Sequence, residues 1–169
     1  MARLGFITAS FFIVADALVT VALLKPEWIV SKFAGSTSFG LTKTCITFKG
    51  QKEICTAPHL PSEWGATLVF LVIGTILIMA SGILIICSHW KESFLKGARW
   101  MSFVGVILFC LSAVIFPFGF DIPEIGGEAY KLPPNTEVGM SYYLFFASLF
   151  FAVMGCGLSN LYVLQINFQ

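Results

Sequence analysis

Long apolar runs alternate with short polar links along this chain. The runs are residues 4–24, 65–87, 100–120 and 141–164, each close to the roughly 20 residues that a helix needs to cross a bilayer core. The pattern predicts four membrane helices in one domain spanning residues 1–169, with outer loops at 25–64 and 121–140 and an inner link at 88–99. Trp64 before the second run and Trp90 after it fit the aromatic belt of a membrane interface. Pro117 falls in the last turns of the third run, where it kinks or loosens the helix end.

The first loop carries a second pattern. Phe39, Leu41, Ile46, Phe48 and Ile54 are separated by polar residues, and the stretch around Thr44–Phe48 reads as β-rich. Short strands there make a small extracellular sheet. A lone hairpin is marginal, so packing against the second loop has to support it. That loop holds Gly126-Gly127 and Pro133-Pro134, which mark turns.

The first run is longer than the 7–15-residue core of a signal peptide, and Lys25-Pro26-Glu27 ends it without a small-x-small site. It therefore reads as a retained helix. Basic residues in the short links (Arg3, Lys91, Lys96, Arg99) are dense enough to favour cytoplasmic N- and C-termini.

Composition agrees with the pattern. Hydrophobic residues make up 57% and charged residues 11%, against about 45–50% and about 25% in soluble domains. So little charge cannot coat a soluble globule. The formal net charge of +1 and the lack of any basic run exclude a nucleic-acid surface. No His-Glu-x-x-His, Gly-x-Ser-x-Gly or phosphate-cradling glycine loop is present. His59 and His89 fall on opposite sides of the predicted membrane. The chain reads as a non-enzyme without cofactor or metal.

Of the five cysteines, Cys45 and Cys55 lie in the first loop. Outside the cytosol they would be joined as a disulfide; as a metal pair they would have only His59 to add. A disulfide puts this loop outside, which agrees with the orientation from charge. Cys110 and Cys156 fall within helices and behave as small hydrophobes. Cys87, at the inner end of the second run, is the candidate for palmitoylation.

Asp16 interrupts the first run near its middle. An acid there costs about 2.5 kcal/mol or more on insertion scales. It could serve an ion relay or contact a partner's membrane helix. It could also be a neutral acid bonded to a hydroxyl on a neighbouring helix, with Ser81, Ser112 and Ser148 as candidates. The other runs hold no ionisable group at mid-depth, which favours the bonded acid. The acids of the second loop (Asp121, Glu124, Glu128, Glu137) read as a solvated surface rather than a cation site, and no Asn-x-Ser/Thr sequon is present. Gly74, Gly82, Gly105, Gly155 and Gly157 permit close helix packing within the bundle.

Trp28, the segment Gly40-Leu41-Thr42-Lys43-Thr44-Cys45, and Cys55 resemble the claudin-like tetraspan pattern of Trp, Gly-Leu-Trp-x-x-Cys and a second Cys. Thr42 stands where that pattern has its second Trp, which sets the chain apart from junction-forming claudins. A closer resemblance runs through most of the chain. Pro58-His59-Leu60-Pro61-Ser62-Glu63-Trp64, Ser88-His89-Trp90, Ala98-Arg99-Trp100, Ile107-Leu108-Phe109-Cys110, Ile115-Phe116-Pro117-Phe118-Gly119-Phe120 and Tyr130-Lys131-Leu132-Pro133 are similar to the modulator of Smoothened family. Asp16 falls where that family has an acid, and Pro134 where it has Asn.

The resemblance implies an all-α membrane fold, a left-handed four-transmembrane-helix bundle with a small extracellular β-sheet. It implies a non-enzymatic adaptor at the plasma membrane, and in cilium or endosome, that attenuates Hedgehog signalling by lowering surface Smoothened. The implied partners are a single-pass, EGF-repeat receptor-like protein and a RING ubiquitin ligase. Trp28, Phe39, Gly40, Leu41, Phe48 and Tyr130 are the expected partner-contact residues, with Asp16 as an intramembrane contact. Other claudin-like tetraspans serve as auxiliary subunits of an ion channel or receptor, and that is the alternative expectation.

Overall fold

The computed structural model describes residues 2–32, 36–47, 52–88, 90, 93–121, 123 and 125–167. The helices are α1 (Ala2–Leu24), α2 (Ser62–Cys87), α3 (Phe94–Phe118) and α4 (Met140–Asn167). The strands are β1 (Ile29–Ser31), β2 (Ser36–Phe39), β3 (Thr44–Thr47), β4 (Ile54–Thr56) and β5 (Thr136–Val138). Among the described residues, four helices are long and apolar enough to cross a membrane.

Each helix buries a narrow stripe. In α3 it is Leu95, Ala98, Ser102, Gly105, Phe109, Ser112 and Phe116, in alternating steps of three and four. Small and hydroxyl-bearing residues fill much of the stripe, while Phe103, Val104, Ile107, Leu111 and Val114 are exposed. That inverts a soluble helix and suits a lipid surround, where small residues let backbones approach and hydroxyls bond across helices. The stripe also explains why α3 begins at Phe94, ahead of the apolar run. Leu95 and Ala98 extend it, while Lys96 and Arg99 stay exposed.

The chain divides into two compact units. The first comprises Met1–Val19, Phe70–Cys110 and Ala147–Gln169. Glycines there admit large neighbours. A Cβ on Gly155 would lie 2.6 Å from the Phe12 ring, and one on Gly74 would lie 2.7 Å from Phe109. Gly157, by contrast, has open space where a Cβ would be. Two serines tie helices together: Ser148 Oγ donates to Ala15 O at 2.8 Å and Ser81 Oγ to Ala98 O at 2.9 Å.

The second unit comprises Thr20–Val69 and Leu111–Phe146. It holds an antiparallel sheet in the order β4-β3-β2-β1-β5. β-Branched residues dominate β1, β3 and β5, as a pleated, half-buried surface favours. The second loop supports the sheet by supplying a strand of its own: β5 pairs with β1, Val30 opposite Glu137. Beneath lies an aromatic cluster centred on Phe116, with ring centroids 5.0 Å from Trp28, 5.3 Å from Trp64, 5.3 Å from Tyr142 and 5.6 Å from Phe120. α3 runs only one residue beyond Pro117 before tightening into a 3-10 turn at Gly119–Asp121.

Candidate functional site

The residues of the first loop converge on the place where α1 ends. Pro26 has no N–H to give Ala22 O, its partner in a continued helix. The Trp28 indole supplies the missing donor, with Nε1 donating to Ala22 O at 2.8 Å. Thr42 Oγ1 donates to Leu23 O at 2.7 Å, and Ser141 Oγ to Lys25 O at 3.3 Å. One nearby side chain and two distant ones thus satisfy carbonyls that a helix end leaves bare. Thr42 is the residue that departs from the claudin-like pattern, and here its hydroxyl caps the end of α1.

Trp28 N donates to Phe39 O at 3.0 Å, and Gly40 N to Lys43 O at 3.1 Å. A Cβ on Gly40 would lie 2.6 Å from Pro26 Cα, so only glycine lets the turn after β2 close onto the end of α1. Trp28, Gly40 and Leu41 are buried. Buried in this way, they offer no exposed side chain to a partner. Phe39 in β2 is half-buried. Phe48 lies outside the described residues.

Cys45 and Cys55 stand directly opposite one another across β3 and β4 and form a disulfide. The bond secures β4, whose residues are all exposed and which forms one edge of the sheet. Ile54 on that edge is 58% exposed. An edge strand offers free backbone donors and acceptors to a partner. Sequence reasoning marked Ile54 as a strand residue but not as surface; its place beside Cys55 was the available signal.

Tyr130 is 57% exposed and adopts φ 63°, unusual for an aromatic residue. The surrounding turn holds it there. Its N–H donates to Pro117 O at 2.9 Å and its hydroxyl to Val114 O at 3.1 Å, closing the end of α3. Its ring meets Phe118 edge-on at 6.0 Å. Glu128 and Lys131 exchange backbone bonds at 3.0 and 2.9 Å to form the turn.

Asp16 and Cys87 belong to the other unit. Asp16 is half-buried, and its Oδ1 makes no hydrogen bond among the described residues. Ser81 and Ser148, expected as candidate partners, give their hydroxyls to backbone carbonyls, and Ser112 Oγ lies 3.5 Å from Thr67 O. A helix carbonyl close across a small-residue stripe captures a serine more readily than a carboxylate off that stripe. Cys87 is the last residue of α2 and half-buried.

The family model described as Attenuator of Hedgehog matches residues 25–164. The chain belongs to that family. The Attenuator of Hedgehog match takes in the whole sheet, the Trp28, Thr42 and Ser141 side chains that close α1, and the Tyr130 turn. Asp16 lies outside it. Membership gives this multi-pass membrane protein a role in attenuating Hedgehog signalling.

Proposed function

We propose that the chain is a non-enzymatic tetraspan adaptor that attenuates Hedgehog signalling at the plasma membrane by lowering surface Smoothened. In this reading it joins a single-pass, EGF-repeat receptor-like protein to a cytosolic RING ubiquitin ligase, with both termini cytoplasmic. The observation that carries the reading is the Attenuator of Hedgehog match over residues 25–164. The alternating three- and four-residue steps of the buried stripes support a left-handed, claudin-like bundle as one membrane domain.

The docking surface for the partner ectodomain is the outer sheet, through the exposed β4 edge at Ile54 and the Tyr130 turn. Phe39 contributes at the sheet's face, while Trp28, Gly40 and Leu41 set its shape. Asp16, whose buried Oδ1 makes no hydrogen bond among the described residues, is the intramembrane contact. Cys87 is the acylation site.

The test is affinity purification in mild detergent from native tissue, with wild type beside Cys45→Ser/Cys55→Ser. Recovery of a receptor-like protein and a RING ligase with wild type, and their loss with the cysteine variant, is the expected result. Recovery of a channel or neurotransmitter receptor instead overturns the adaptor reading in favour of an auxiliary subunit.

A further inference from the structure

Beside α3 and α4 the first unit opens into a cavity of about 200 Å³ lined by Arg99, Trp100, Phe103 and Asn160. One water needs only about 10–15 Å³, so the space suits a larger group. Its walls differ in kind. Arg99 has no carboxylate within salt-bridge distance among the described residues. Its planar fork of donors fits the oxygens of a phosphate.

Asn160 is held in place. Its Nδ2 donates to Cys156 O at 2.9 Å, and its carbonyl oxygen makes no hydrogen bond among the described residues. Ser102 fastens the same corner, its Oγ donating to Arg99 O at 3.0 Å and lying 3.8 Å from Cys156 Sγ. The remaining wall is apolar: Trp100, 64% exposed, meets Phe103 edge-on at 6.4 Å.

The cavity sits at the polar start of a membrane span, where an arginine and a tryptophan belong at headgroup depth. Phe103 lies one turn further into the apolar run. A small soluble anion would use Arg99 and leave the aromatic wall wet. A purely apolar molecule would cover Arg99 and Asn160 without bonding them. An amphiphile with an anionic head satisfies both walls, and basic pockets at membrane-helix ends suit such lipids. We propose that this cavity binds one anionic phospholipid, its phosphate held by Arg99, its headgroup ammonium donating to the Asn160 carbonyl oxygen, and its acyl chain lying on Trp100 and Phe103. The site does not depend on the adaptor reading.

Native mass spectrometry of the full chain in mild detergent tests this, with phosphatidylserine or phosphatidylcholine of matched acyl chains added. Wild type should retain one phosphatidylserine in preference to phosphatidylcholine. Arg99→Gln should weaken that retention about tenfold or more, as loss of a charge-assisted contact implies. Asn160→Leu, which keeps every charge, should also reduce it, and Lys96→Gln on the exposed face should leave it within about twofold of wild type. Equal retention of the two lipids overturns the site. So does a Lys96→Gln loss matching that of Arg99→Gln, which marks diffuse surface charge. Displacement of the lipid by millimolar inorganic phosphate overturns it too, because that marks a soluble-anion site.

Discussion

Replacing Trp28 with phenylalanine isolates the indole N–H as the closure of α1. The phenyl ring can keep contact with Phe116 and Phe145, now at 5.0 and 5.7 Å from the Trp28 ring. What disappears is the 2.8 Å bond to Ala22 O. Pro26 has no N–H to take its place, so a carbonyl is left bare beside a fully buried side chain. Such a loss costs about 1–3 kcal/mol, and in a chain of this size each kcal/mol lowers the melting temperature by roughly 2–4 °C. Trp28→Phe should therefore melt on the order of 5 °C below wild type, read as loss of monodisperse elution after heating in detergent. Pro26→Ala restores a backbone N–H one helical turn from Ala22 O. In that background the Trp28→Phe penalty should shrink, giving a coupling of at least about 0.5 kcal/mol in a double-mutant cycle. A variant that melts with wild type, or a penalty equal in both backgrounds, refutes the role given to the indole.

Gly155→Ala should destabilise by about 1–3 kcal/mol because its Cβ meets the Phe12 ring, whereas Gly157→Ala, facing open space, should be neutral or slightly stabilising in the same melting assay. Cys45→Ser/Cys55→Ser should weaken the sheet by about 2–3 kcal/mol, seen as faster proteolysis of the first loop. Glu137→Gln removes the charge from a 3.0 Å ion pair with Lys32 between side chains that are both more than half exposed. It should shift stability by less than about 1 kcal/mol.

The membrane helices were legible because length and apolarity alone specify them, with no need to know what each residue touches. The disulfide and the β-rich stretch around it were legible for a related reason: pairing partners lie close in sequence. Strand β5 was not. Three residues after a proline pair carry almost no local signal, and Thr136–Val138 becomes a strand only because β1 is there to receive it. Trp28 was legible as a marker of the fold but not as the donor that Pro26 lacks, since that requires knowing where the ring lies. Asp16 was visible as an anomaly, yet Ser81 and Ser148, two of the hydroxyls expected to bond it, donate to backbone carbonyls instead, a choice set by backbone proximity rather than by residue type. The cavity at Arg99 was hidden because Asn160 reaches it from a different helix.

The β1–β5 pairing has a consequence for how the protein is made. Ser31 and Thr136 face each other, yet nearly the whole chain between them, including α2 and α3, must be synthesised first. A ribosome emits roughly 5–20 residues each second, so the first loop waits seconds with one edge of β1 unpaired. The hairpins β1–β2, β2–β3 and β3–β4 can form from neighbouring sequence during that wait; the last strand cannot. The completed five-stranded surface is therefore a certificate of assembly, available only after the second loop has reached the same side of the membrane as the first. A partner that recognises the five-stranded sheet would bypass half-inserted chains without any separate inspection step.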